Sequence, residues 1–232
     1  MTKMILADMK IIAHIHNDYV SKFGIPRQSG IGKGVLSEIV FEKEYQIPEA
    51  FRGIEEYSHL WLIWQFSEAV AADFRPTVRP PRLGGNKRMG VFATRSPFRP
   101  NPIGLSCVKL EEVKKDDKNG VVLVVSGADL KCGTPIYDIK PYLAYADSYP
   151  EAVCGFADDV ASYRLEVDFP DNLLCKIEPQ RQSDVIEILA NDPRPSYHKD
   201  KEREYGFEFG SYEIKFKADE KNIHVTDVIC QK

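Results

Sequence analysis

Seventeen residues, GVFATRSPFRPNPIGLS (90–106), set Arg95 and Arg99 among Pro97, Pro100 and Pro102, between two apolar, strand-like runs. Proline fixes φ and removes a backbone donor, so such a loop is stiff, and its guanidinium forks are preorganised for carboxylate or phosphate. Arginines buried without an anion would be costly, so acids elsewhere in the fold or an anionic ligand must meet them. From Phe74 to Leu110 there are eight basic residues (Arg75, Arg79, Arg82, Lys87, Arg88, Arg95, Arg99, Lys109) and no Asp or Glu. The formal charge of the chain is −4, which leaves the remainder strongly acidic. That asymmetry argues against a uniformly basic nucleic-acid binder and for a local patch that concentrates an anionic partner.

A second dense stretch is GTPIYDIKPY (133–142). If Tyr137 to Tyr142 is extended, Asp138, Lys140 and Tyr142 share one face and put an acid, a base and a phenol together. A solvated edge strand would show the same pattern. NDPRPSYHK (191–199) offers Asp192, Arg194 and Tyr197 around prolines, where they could cap a helix or close over a site. Other candidates carry less. SGIGKGVL (29–36) has neither the GxGxxG spacing nor the GKS/T of a phosphate loop, and a strand follows it. His14 and His16 alternate on a strand without a third ligand, so no metal is expected. His59, at the entrance of the apolar run LWLI, reads as a core histidine.

The elements that must position these residues are mostly strands. Apolar, β-branched segments at 5–15, 35–42, 59–66, 89–95, 104–113, 120–128 and 135–140 are separated by turn residues, and VVLVVS is apolar on both faces. This pattern predicts a mainly β chain, with a β-barrel domain over 1–150. After Pro150 the character changes. A strand over 162–169, a helix over 183–191 with Ser183 as its N-cap, and an alternating pair at the C-terminus predict a small α+β domain over 151–232. Five scattered cysteines without a CxxC argue for a reducing cytoplasm. The N-terminus reads as a strand rather than a signal peptide, and no apolar run is long enough to span a membrane.

PRQSG (26–30), YSHLW (57–61), RPTVRPPRLGGN (75–86), GVFATRSPFRPNPIGLS, GTPIYDIKPY and DPRPSY (192–197) occur together in this order. The set closely resembles the TrmO family of tRNA methyltransferases, whose N-terminal barrel is called TsaA-like. The resemblance covers nearly the whole chain. It implies a homodimeric enzyme that uses S-adenosylmethionine (SAM) to methylate N6 of N6-threonylcarbamoyladenosine at position 37 of threonine tRNA, beside the anticodon. By motif, it implies cofactor contacts at Pro26, Arg27, Gln28, His59, Leu60, Arg95 and Leu105, and along the turn Leu130, Lys131, Cys132, Gly133 and Thr134. Arg99 and Asn101 would shape the loop. Cys132 stands where the family usually has Asp, which would cost a side-chain contact and spare a backbone one.

On this reading Asp138 is the first candidate general base and Asp192 its rival. Lys140 and Arg194 would stabilise charge or hold the substrate's carboxylate, and Tyr142 and Tyr197 would orient the base. Arg75, Arg79, Arg82, Lys87 and Arg88 would bind phosphates of the anticodon arm. Two alternatives stay open: a non-catalytic RNA- or nucleotide-binding module, which Cys132 favours, and a SAM-dependent methyltransferase with another anionic acceptor.

Overall fold

The computed structural model describes residues 8–68, 73–80, 83, 87–194, 200 and 202–231. Its first part contains β1 (Ala13–His16), β2 (Leu36–Phe41), β3 (His59–Gln65), β4 (Thr77–Val78), β5 (Met89–Gly90), β6 (Ile103–Asp116), β7 (Gly120–Ser126) and β8 (Pro135–Pro141). Six of these strands run antiparallel in the order β1-β2-β7-β6-β3-β8, and β1 returns to pair with β8, closing a barrel. β4 and β5 form a separate two-stranded ribbon.

Alternation sets which residues face inward. Along β3, Leu60, Leu62 and Trp64 enter the core, while His59, Trp61, Ile63 and Gln65 face outward. Along the first half of β6, Gly104, Ser106 and Val108 point in and Ile103, Leu105 and Cys107 point out. Trp64 lies directly opposite Gly104, where a Cβ would come within 2.2 Å of the indole. The buried indole N–H donates to Ser106 Oγ at 2.9 Å. Gly104→Ala is therefore expected to destabilise the barrel by about 1–3 kcal/mol through overpacking. Urea unfolding should show a lowered midpoint at an unchanged slope.

Several expected strands come out shorter, among them 162–169, which is a strand only at Glu166–Asp168. The stretch 89–95 is a strand only at Met89–Gly90 and then turns through a 3₁₀ segment, Val91–Ala93, into the proline loop. Of 5–15, only Ala13–His16 is a strand; 8–12 are not, and 5–7 lie outside the described residues.

The first part ends with α1 (Ala144–Asp147), and the second contains β9 (Glu166–Asp168), α2 (Asp171–Leu174), α3 (Pro179–Ala190), β10 (Tyr205–Phe209), β11 (Tyr212–Ala218) and β12 (Asn222–Cys230). The sheet order is β10-β11-β12-β9, with β9 parallel to β12. The helix begins earlier than expected. Pro179 occupies its first turn behind Glu178, where proline's missing N–H costs nothing, so Ser183 is an interior position rather than the N-cap. Val185, Ile188 and Leu189 pack on Phe207, Phe209, Ile214 and Phe216.

This second core is not built from the C-terminal residues alone. Tyr19 and Val35 belong to it, with Phe23 and Ile25 packed against it, so the segment 17–35 leaves the barrel to complete the other core. The contact is close: a Cβ on Gly34 would fall 1.8 Å from the Asp184 carboxylate. All five cysteines are free thiols. Among the described residues no helix is long and apolar enough to cross a membrane.

Candidate functional site

One acidic residue and an arginine meet where the segment 26–30 crosses the barrel, and a second acidic locus lies across the sheet. β7 pairs with β6 only from Lys109 onward. The edge of β6 left free is taken by Ser29, whose Oγ accepts the Cys107 N–H at 3.2 Å. Gly30 N–H donates to Gly127 O at 2.9 Å, fixing the same segment to the loop after β7. Gln28 then reaches the Arg95 guanidinium with its side-chain carbonyl.

Asp129 sits at the centre of this arrangement, half-buried. Its carboxylate accepts from the Ser106 hydroxyl, with the Ser29 backbone and Arg95 close enough to act on it electrostatically. Burial pushes its pKa up, and these partners offset the rise only in part. The result is a continuous chain, Trp64–Ser106–Asp129, that ends beside Arg95 and Gln28. Sequence reading missed Asp129. Its one signal was a carboxylate three residues beyond the buried run VVLVVS, a position where an acid must find partners.

The second locus is the outer face of β6-β3-β8. Register places Leu105, Ile63 and Asp138 opposite one another on three neighbouring strands. Strand spacing puts Asp138 about 10 Å from Leu105 across this row. Asp138 Oδ2 lies 3.0 Å from Lys140 Nζ, with both side chains substantially exposed. The Tyr142 ring centroid is 5.7 Å from that of Trp61 and 6.2 Å from that of His59. Trp61 Nε1 donates to Asp147 at 2.9 Å, which holds the indole in place. Acid, base and phenol therefore do share one face, beside two further aromatic rings.

Asp192 and Arg194 are elsewhere and closed. They are 7% and 8% exposed, and Arg194 Nε donates to Asp192 Oδ1 at 2.8 Å. Tyr163 OH donates to the other carboxylate oxygen at 2.9 Å. The rest of the Arg194 fork goes to the carbonyls of Ala218 and Asp219. Neither side chain is open to a ligand in this arrangement, which corrects their expected catalytic role. Arg27 also turns this way, donating from Nη2 to the carbonyls of Asp192 and Arg194 at 3.2 and 3.0 Å. It clamps residues 192–194 to the loop that carries Gln28.

The remaining expected contacts divide. Leu60 and Leu130 are 0% exposed and Thr134 is buried, so none of the three presents a side chain to a ligand in this arrangement. Cys132 N–H donates to Tyr19 O and Gly133 N–H to Ile15 O, tying the turn to β1 and the segment after it. Lys131 pairs with Glu68. Leu105 is exposed, His59 half-exposed, and Pro26 buried under the segment. Arg99 donates to Thr94 O at 2.8 Å and to Ser96 O, holding the loop in shape. Arg75, Arg79, Lys87 and Arg88 are exposed; Arg82 and Tyr197 lie outside the described residues.

Comparison with known proteins is consistent along the chain. The family model of the tRNA-methyltransferase O N-terminal domain matches residues 14–148, and that of the TrmO C-terminal domain matches 162–231. The tRNA (adenine(37)-N6)-methyltransferase of Escherichia coli (strain K12) is 45% identical over 197 residues, covering 82% of this chain and 83% of that protein. The protein of that name from Eikenella corrodens is 44% identical over 164 residues, covering 70% and 92%. A Pseudomonas aeruginosa relative that bears the name of an S-adenosylmethionine-dependent methyltransferase, RcsF, is 38% identical over 203 residues, covering 84% and 85%. A crystal structure of TrmO from P. aeruginosa superposes with a TM-score of 0.79 at 30% identity, covering 99% of this chain and all of that one.

Proposed function

This chain belongs to the TrmO family of tRNA methyltransferases, and from that premise we propose how its site works. It is a SAM-dependent tRNA (adenine(37)-N6)-methyltransferase. Its acceptor, on our reading, is N6-threonylcarbamoyladenosine in threonine tRNA, acted on in the cytoplasm by a homodimer.

The residues present suit the cofactor. SAM carries a carboxylate, an ammonium and a sulfonium, and the site offers opposite charges, Arg95 and Asp129, held by Gln28, Ser29 and Ser106. Arg95 would take the carboxylate and Asp129 a cationic group, with Leu105 packing alongside. When bound, SAM supplies a methyl group on a positively charged sulfur, ready to pass to a nitrogen.

The chain's own task is then to place N6 and remove its proton. The carbamoyl carbonyl shares the negative charge that develops on N6, so modest base help and good alignment suffice. Asp138 is the base of this reading, with Lys140 beside it to hold the carboxylate and meet developing charge. Tyr142 and Trp61 would orient the purine. Arg75, Arg79, Lys87 and Arg88 would hold anticodon-arm phosphates. Exposed Tyr145, Tyr149 and Val153, just after the site face, are apolar surface of the kind a second copy would cover.

The observation that carries the reading is the Leu105–Ile63–Asp138 row, which joins the Arg95–Asp129 locus to the Asp138–Lys140–Tyr142 face on one rigid sheet. Purified protein, SAM and threonine tRNA with or without the threonylcarbamoyl group, followed by nucleoside mass spectrometry, test it. We expect a methyl group on the modified tRNA alone. Equal methylation of unmodified tRNA would overturn the acceptor assignment.

A further inference from the structure

Three phenylalanines of the basic segment are left in water. Phe92 is 72% exposed, Phe74 56% and Phe98 50%. Burying such a ring would stabilise the fold by about 1.5–3 kcal/mol, so apolar rings gathered on a surface mark a partner. Phe74 and Phe92 are not loose. Their centroids are 6.3 Å apart with planes inclined by 25°, a stacked pair. The Thr77↔Gly90 and Val78↔Met89 pairing zips the two segments that carry them, and Val91 N–H donates to Pro76 O at 2.9 Å. Arg99, anchored on the carbonyls of Thr94 and Ser96, lies 6.0 Å from the Phe92 centroid.

This is a preordered aromatic shelf with a cation beside it, inside a segment of eight bases and no acids. Small cofactors are gripped in concave sites that cover most of their surface, whereas this shelf stands open. An open shelf suits a partner anchored elsewhere through phosphates, which needs only a π-face on which to rest one base. Unpaired tRNA bases meet that requirement, and position 37 lies in a single-stranded loop. We propose that the Phe74–Phe92 shelf stacks an unpaired base of the anticodon loop next to the acceptor adenosine, with Arg99 lying against the platform. The proposal rests on the tRNA-methyltransferase reading above.

Fluorescence anisotropy with a labelled anticodon stem-loop RNA tests it, using the full-length protein and Phe92→Ala, Phe92→Leu and Phe92→Trp. Stacking is worth about 1–3 kcal/mol per base, so Phe92→Ala should raise Kd about 5- to 150-fold. Phe92→Trp should bind like the parent, and Phe92→Leu should stay weak, since it is apolar but has no π-face. The slope of log Kd against log salt should not change, because no phosphate contact is lost. SAM affinity by calorimetry and the sedimentation mass should stay at parental values. Parental Kd in Phe92→Ala, full rescue by Phe92→Leu, or an altered mass would each overturn the shelf while leaving the methyltransferase reading in place. A parent protein that binds no stem-loop RNA would instead overturn that reading, and the shelf with it.

Discussion

Asp192→Ala is expected to lower folding stability by about 3–5 kcal/mol, because it strands the Arg194 guanidinium in a buried site. Arg194 is 8% exposed, and its remaining donors already reach the carbonyls of Ala218 and Asp219, so it has no route to water without unpacking the sheet. A smaller cost adds to this. Asp192 has φ of 53°, and Asp tolerates that left-handed conformation better than Ala does. Asp192→Asn keeps the backbone preference and an oxygen for the Tyr163 hydroxyl, so it should lose less. Urea unfolding of the three proteins measures both effects. If Asp192→Ala unfolds at the parental midpoint yet loses methyl transfer, the pair is chemical rather than structural.

The opposite profile is expected at Asp138. Its pair with Lys140 is exposed on both sides, and such pairs contribute about 0–1 kcal/mol. Asp138→Asn should leave the thermal midpoint nearly unchanged and still lower kcat by about 10²–10⁴-fold, the usual contribution of a positioned base. Single-turnover methylation of modified tRNA, with SAM affinity checked by calorimetry, separates the proton-transfer role from binding. Near-parental turnover in Asp138→Asn would remove Asp138 from the mechanism. Lys140→Ala should have a smaller effect, since it supports the carboxylate rather than accepting a proton.

The two aspartates show where sequence pattern stops being informative. Asp138, Lys140 and Tyr142 share a face because alternation along a strand is local, and a local rule can be read from ten residues. Asp192 and Arg194 have the same look, two charged residues one apart among prolines. Their fate is decided by Tyr163 and by carbonyls at 218 and 219, which only the tertiary fold brings near. Asp129 was missed for the same reason. Its partners come from Ser29, Arg95 and Ser106, three segments separated in sequence and joined only when the loops fold over the barrel. Arg27 matched a motif, but only the tertiary fold places its guanidinium on the carbonyls of Asp192 and Arg194 rather than in the open. The alternating strands β3 and β6 were clear from periodicity, whereas β5 ended early where the 3₁₀ turn led into the prolines.

The segment 17–35, which lends Tyr19 and Val35 to the distant core, also dictates an order of events during synthesis. Its partners on β10, β11 and β12 leave the ribosome almost 200 residues later. At about 5–20 residues per second, Phe23 and Ile25 wait for on the order of 10–40 s before they can be covered. For that interval the nascent barrel carries an uncapped apolar strap, and the loop that holds Gln28 and Ser29 lacks its final support. Release of the C-terminus is thus the step that seats this segment, so a prematurely terminated chain would hold the strap without the core that covers it.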